Sequence, residues 1–248
     1  MSELFGVPVA PGAPITTVDA VVVAAMEEEI APFEQRAERL AHQRHVGMAR
    51  SVVATIGGRK LLLIRSGIGA VNAAAATALA IHAVRTPVVL SVGSAGGLGE
   101  GVRVGDVVVG DEHAFGGADA SAFGYVPGQI PGMPATFPGA PALVERAHNR
   151  PGVLVGAMLS GDSFVDDAHS VEHYRATFPR ALTTDMETTA IAQVCHSFDI
   201  PFVSVRGVSD LCGPSAGEDF SLTIDDVSAL AADVALDLID VPATVPQR

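Results

Sequence analysis

Tryptophan is absent from this chain of 248 residues, aromatic residues make up only 5%, and there are just two cysteines. So few rings leave the core to Val, Ala, Leu and Ile, the composition of parallel strands covered by helices. Cys195 and Cys212 have no metal-ligand spacing and cannot make a disulfide framework, which points to a reduced, cytoplasmic setting. Basic residues are also scarce: 15 Lys and Arg stand against 28 Asp and Glu, a net charge of −13. An acidic surface repels nucleic-acid phosphates and anionic lipid heads, and no Lys/Arg run overrides it. Long apolar runs are missing too. The stretch from Ala73 to Ala83 is interrupted by Thr77 and His82 and is too short to span a bilayer. Residues 1–17 lack a basic start and a long apolar run, so they read as a flexible N-terminal extension rather than a signal peptide. There is no HExxH pattern, no GxSxG elbow and no Walker loop, so no motif calls for a metal or an organic cofactor.

What is present is apolar and periodic. Hydrophobic residues reach 48% and mean hydropathy is +0.37, ample for one large core. Strands are expected over residues 19–25, 51–56, 60–65, 87–92, 106–109, 153–159, 181–184 and 202–205. Helices are expected over 27–40, 71–84, 141–148, 168–178, 187–198 and 224–238. The alternation predicts one domain over residues 18–248, a three-layer α/β/α sandwich with a central mixed, mostly parallel sheet. Residues 116–139 are too long and too rich in Gly and Pro for a plain connection, and read as functional.

Ligands in such sheets lie beyond the carboxyl ends of the strands, and several chemically capable residues follow strands here. Glu27, Glu28 and Glu29 open a helix; they either offset its dipole or present one base to a pocket. Gly67-Ile68-Gly69 resembles a nucleotide-cradling turn. A dinucleotide site would need an acid about 20 residues on, and no Asp or Glu occurs between Gly69 and Glu100. Gly93 to Gly97 ends a buried strand and is either a plain Gly-rich loop or a place where backbone approaches a ligand closely. Thr184 to Glu187 fits a capping box, and the rival role for Glu187 is to bridge two ribose hydroxyls. Asp210, after Ser209, is either a turn cap or a general acid. Cys195-His196 sits within a helix, where adjacent residues do not face each other, so a core Cys beside a partly exposed His is expected rather than a catalytic pair.

The stretches AAMEEEI (24–30), SGIGAVNAA (66–74), VGSAGGL (92–98), VGD (104–106), SAFGYVPGQIPGMP (121–134), SGDSF (160–164), DMETTAIAQVCH (185–196) and PFVSVRGVSD (201–210) together resemble the nucleoside phosphorylase/nucleosidase superfamily. Within it they are most similar to the methylthioadenosine/S-adenosylhomocysteine nucleosidases. The resemblance implies hydrolysis of the N-glycosidic bond of a purine nucleoside with no cofactor. It casts Asp210 as the acid that protonates N7 of adenine, Glu29 as the base that positions water with Ser94 and Arg206 beside it, and Glu187 as the ribose ligand with Met186 nearby. Phe164 would stack on the purine and the Val165 backbone would read its edge, with Gly96 and Ser209 adjoining. Ile68 and Phe220 would wall the thioether pocket. A homodimer is implied, in which Phe123 and Pro131 complete the partner's pocket. Asp185 stands where the family commonly has Glu, and Ala120 where a larger aliphatic residue is frequent. Futalosine-type nucleosides and phosphorolysis are the alternatives, and Arg65 and Arg206 are the cations that a phosphate could use.

Overall fold

The structure, a computed structural model, describes residues 3–4, 7–8 and 16–240. Most of the expected N-terminal extension therefore lies outside the described residues. Within it, Glu3–Leu4 pairs antiparallel with Val7–Pro8, and Thr16–Thr17 pairs in parallel with Val84–Arg85.

The main elements are β1 (Ala20–Ala24), α1 (Glu27–Gln35), β2 (Arg39–Val46), β3 (Ala49–Ile56), β4 (Arg59–Arg65), α2 (Ala70–Ala83), β5 (Val89–Gly97), β6 (Val107–Phe115), α3 (Pro141–His148), β7 (Val153–Ser160), α4 (Ala168–Thr177), β8 (Ala181–Asp185), α5 (Thr188–Ser197), β9 (Phe202–Asp210) and α6 (Ala216–Leu238). With Phe137–Pro138 at one edge, the nine strands form one mixed sheet in the order β6-β7-β8-β5-β1-β4-β3-β2, and β9 pairs with both β6 and β5. Strands β5, β8, β7, β6 and β9 thereby close into a ring, a feature the linear alternation of elements did not reveal.

The layers follow from the pleat of β1, whose five residues are all buried. Successive side chains point to opposite faces. Ala20, Val22 and Ala24 pack with Ile30 and Phe33 of α1 and with the Ala231–Leu238 end of α6. Val21 and Val23 pack with Ala73, Ala76, Ala80 and Ala83 of α2 and with Ile191, Ala192 and Cys195 of α5. A strand covered on both faces must be apolar throughout, which is why the β1 sequence is an unbroken AVVVA. The α/β class and the mixed sheet match the expectation.

Several boundaries differ from it, among them β6, which runs on to Phe115, β9, which runs on to Asp210, and α6, which begins at Ala216. The first helix stops at Gln35, and Arg39–Val46 forms an edge strand on β3 instead of a helical continuation. That segment, RLAHQRHV, is mostly solvent-exposed and has no apolar alternation, as befits a protected edge. Gly93 to Gly97 is the end of β5, not a loop after it, because β9 continues alongside it to Asp210. The β9–β5 register slips by one residue at Ser209, a bulge at the strand end that re-aims the chain where Asp210 enters the site.

Candidate active site

A cavity of about 330 Å³ opens at the carboxyl ends of β1, β5, β8 and β9, and Glu29, Glu187 and Asp210 all line it. Ser94, Gly96, Met186, Phe164, Val165, Ile68, Ser209 and Phe220 line it as well. The three carboxylates are thus brought together from α1, the β8–α5 junction and β9, and all three are buried.

Glu29 serves two purposes. Its Oε2 accepts hydrogen bonds from the Ala25 and Met26 amides at 2.9 and 3.1 Å, capping the first turn of α1. Its Oε1 accepts from the Ser94 amide at 2.9 Å and the Ser94 hydroxyl at 3.0 Å. The helix-cap role and the pocket-facing role are therefore held by opposite oxygens of one side chain.

Glu187 is not the acid of a capping box. Its Oε1 accepts the Gly69 amide at 2.7 Å, across the cavity mouth. Gly69 is the N-cap of α2 and has φ +101°, a conformation that side chains disfavour, so Gly is required to aim that N–H outward. The start of α5 is capped by Asp185, whose Oδ1 accepts the amides of Glu187 and Thr188, each at 3.1 Å. Burial, and then the charge of Asp185, push the Glu187 carboxyl up to about 7.

Asp210 accepts the Cys212 amide on Oδ1 and the Ser209 hydroxyl on Oδ2, both at 2.9 Å. Burial raises its pKa above the usual carboxylate range, against the pull of these two donors. Cys212 lines the cavity beside it with φ +58°, and burial followed by the Asp210 charge lifts its thiol to about 12. Phe164 and Phe220 meet edge to face, with centroids 6.2 Å apart, and make an aromatic wall. The Val165 carbonyl accepts the Gly213 amide at 3.0 Å, tying that wall to the segment after Asp210.

Arg206 lies behind the cavity wall rather than on it, and is 1% exposed. Its Nε pairs with Asp185 at 2.7 Å, and its Nη2 donates to Ser91 Oγ and Thr188 Oγ1, each at 2.7 Å. Nη1 has no hydrogen-bond partner among the described residues. It lies against Gly93, where an added Cβ would fall on both Nη1 and Glu29 Oε1, so the two groups flank one point. Burial opposes the Arg206 charge, yet Asp185, Glu29 and Glu187 hold its pKa above the ordinary arginine value.

Arg65 is elsewhere: it pairs with Glu27 at 3.2 Å and does not line the cavity. Phe123 and Pro131 do not line it either; both are exposed, Phe123 by 83%. Sequence reasoning gave no role to Asp185, Cys212, Ala25, Ala95, Met26 or Ser163, which with Thr184 complete the lining. For Asp185 a signal was available, since two Thr and an acid at a strand–helix junction are capping chemistry.

Comparison with known proteins shows the family. The family model described as "Phosphorylase superfamily" matches residues 19–240. The 5'-methylthioadenosine/S-adenosylhomocysteine nucleosidase of Geobacillus thermodenitrificans is 37% identical over 228 residues, covering 90% of this chain and 96% of its own. The crystal structure of the Neisseria meningitidis nucleosidase in complex with methylthio-immucillin-A is 36% identical, with a TM-score of 0.85 over 89% of this chain and 98% of that one. The Colwellia psychrerythraea nucleosidase in complex with adenine superposes with a TM-score of 0.86 at 29% identity, over 93% and 98% of the two chains. The chain belongs to the phosphorylase superfamily and, within it, to the 5'-methylthioadenosine/S-adenosylhomocysteine nucleosidases.

Proposed function

We propose that this protein hydrolyses the N-glycosidic bond of 5'-methylthioadenosine and S-adenosylhomocysteine, releasing adenine and the 5'-thioribose. The observation that carries the reading is the meeting of Glu29, Glu187 and Asp210 around one cavity with an aromatic wall. Its volume of about 330 Å³ falls in the range of small-ligand sites.

The bond breaks with positive charge on the sugar and negative charge on the base, and both need support as they develop. Asp210, its pKa raised by burial, holds a proton for N7 as the C1'–N9 electron pair moves into the purine. Glu187 accepts from the ribose hydroxyls and favours the cationic sugar. Glu29 takes a proton from water, the water oxygen adds to C1', and the unpartnered Nη1 of Arg206 orients that water from beside Gly93. Phe164 and the Val165 backbone bind the base, and Ile68 and Phe220 border the 5' substituent.

The second subunit belongs to the same reading. Phe123 is 83% exposed, Val71 81% and Ile68 54%, and a homodimer would cover such apolar surface while lending Phe123 and Pro131 to the partner's 5' pocket. A cytoplasmic setting accords with the two unpaired cysteines.

Phosphorolysis is disfavoured by charge. Asp185 already neutralises Arg206, and Glu29 and Glu187 stand beside it, so a phosphate dianion would enter a negative site. The test is adenine release from both thioethers with and without phosphate. Free 5'-thioribose at an unchanged rate is expected; a phosphate requirement with a ribose 1-phosphate product would overturn the reading. A panel with futalosine-type nucleosides ranks the 5' substituents.

A further inference from the structure

Asp185 touches both halves of the site, yet no oxygen of it is left for a ligand. Its side chain is 3% exposed. Oδ2 takes Arg206 Nε at 2.7 Å and the hydroxyl of Thr188. Oδ1 takes the Ser160 hydroxyl at 2.6 Å and the amides of Glu187 and Thr188. Thr188 Oγ1, having donated its proton to Asp185, accepts from both Nε and Nη2 of Arg206. The guanidinium is thereby clamped along one edge, and Nη1 is turned toward Glu29 and Gly93. The same carboxylate fixes the first backbone amide of the turn that carries Glu187.

We propose that Asp185 is a positioning residue for glycosidic hydrolysis, one buried carboxylate that aims Arg206 at the nucleophile side and sets the place and charge environment of Glu187 at the sugar side. The inference rests on the hydrolase reading above. A residue with this role must act on the two groups in different ways. On Arg206 it acts by direction, since an ion pair with an added hydroxyl leaves the guanidinium one orientation. On Glu187 it acts also by like charge, which disfavours the second carboxylate. The charged groups around Glu187 are Asp185 from β8, Arg206 from β9 and Glu29 from α1, with the Gly69 amide ahead of α2. Those that bear on Asp185 are Arg206, Glu187 and, from β6, the buried His113.

Asp185→Asn keeps the shape and removes the charge. The test is the pH profile of kcat/KM for adenine release, which reports free-enzyme groups, in wild type, D185N and S160A. The acid limb, where activity falls as Glu187 takes up a proton, is expected to move down by about one pH unit in D185N, because a like charge has gone and Arg206 is freed to favour the Glu187 carboxylate. The plateau kcat is expected to fall by about tenfold to a hundredfold as Nη1 loses its aim. S160A, which removes one donor and no charge, is expected to leave the limb in place. Should D185N fail to fold, T188V carries the test: it keeps both charges, so its plateau must fall and its limb must not move. A limb unmoved in folded D185N, or moved alike in S160A or T188V, overturns the proposal. Absence of adenine release from the wild type would instead defeat the hydrolase reading, so the two failures are distinct.

Discussion

Replacing Gly93 by Ala probes the arrangement of Glu29 and Arg206 at close to atomic scale. The added Cβ would stand 2.6 Å from Glu29 Cδ and closer still to Glu29 Oε1 and Arg206 Nη1, where ordinary contact begins at 3.4 Å. One or both groups must therefore retreat by about 1 Å, and neither is free to do so. Glu29 is held by two amides on Oε2 and by an amide and a hydroxyl on Oε1, and Arg206 by Asp185, Ser91 and Thr188. A displacement of this size at the reacting centre costs about 10²-fold in rate. Overpacking in a buried strand adds a loss of about 1–3 kcal/mol in stability, read as a fall in Tm of roughly 2–4 °C per kcal/mol for a chain of this length. The assay is steady-state adenine release with a thermal melt on the same sample. The expected result is a folded, modestly destabilised enzyme with kcat down about a hundredfold and KM changed far less. A folded G93A with kcat within about threefold of wild type would refute the claim that these groups meet at Gly93 in the working enzyme.

Other outcomes follow from the same geometry. Asp210→Asn is expected to lower kcat by at least about 10²-fold, the scale of a lost general acid; near-normal turnover would remove Asp210 from the mechanism. In the wild type, activity should fall as pH rises through the raised pKa of Asp210, and that alkaline limb should be missing from the residual activity of D210N. His113 is buried between the Phe137 carbonyl and Ser204 Oγ, and burial lowers its pKa to about 4. The unfolded chain then binds a proton at higher pH than the folded one, so stability present above pH ~6.5 is lost as pH falls, by about 2 kcal/mol on reaching pH 5. Urea melts of H113Q should lack that share of the slope, and an identical slope would contradict it. Gly217, in the first turn of α6, has open space where a Cβ would stand and an ordinary φ, so Gly217→Ala should stabilise by about 0.5–1 kcal/mol in the same melts; an unchanged or lowered midpoint would contradict this.

The layered fold was legible wherever burial left a pattern. An AVVVA strand can only be covered on both faces, and Ala at 73, 76, 80 and 83 marks a closely packed helix face. The edge strand Arg39–Val46 was hidden because backbone pairing with β3, rather than any side-chain period, makes it a strand. The closure of β5 to β9 into a ring was hidden because it depends on pairings between strands far apart in the chain, such as Thr184 with Gly96. At the site, residue chemistry alone left Glu29, Glu187 and Asp210 each with a helix-cap or turn alternative, and only the family resemblance grouped them as a set. Their partners were not legible. The Thr184–Glu187 pattern suggested a capping box, but the shorter Asp185 reaches the amides first and frees Glu187 to cross to Gly69. Arg206 looked like a cation for phosphate until the ion pair with Asp185 accounted for its charge.

A crystal structure with a non-hydrolysable 5'-thio-substituted adenosine analogue tests the central claim most directly. The expected complex has the Asp210 carboxyl within about 2.7–3.2 Å of the N7 position and Glu187 on the ribose hydroxyls, with a water held between Glu29 and Arg206 Nη1 on the far side of C1'. A nucleoside bound with its glycosidic bond away from any one of these three carboxylates would contradict the account.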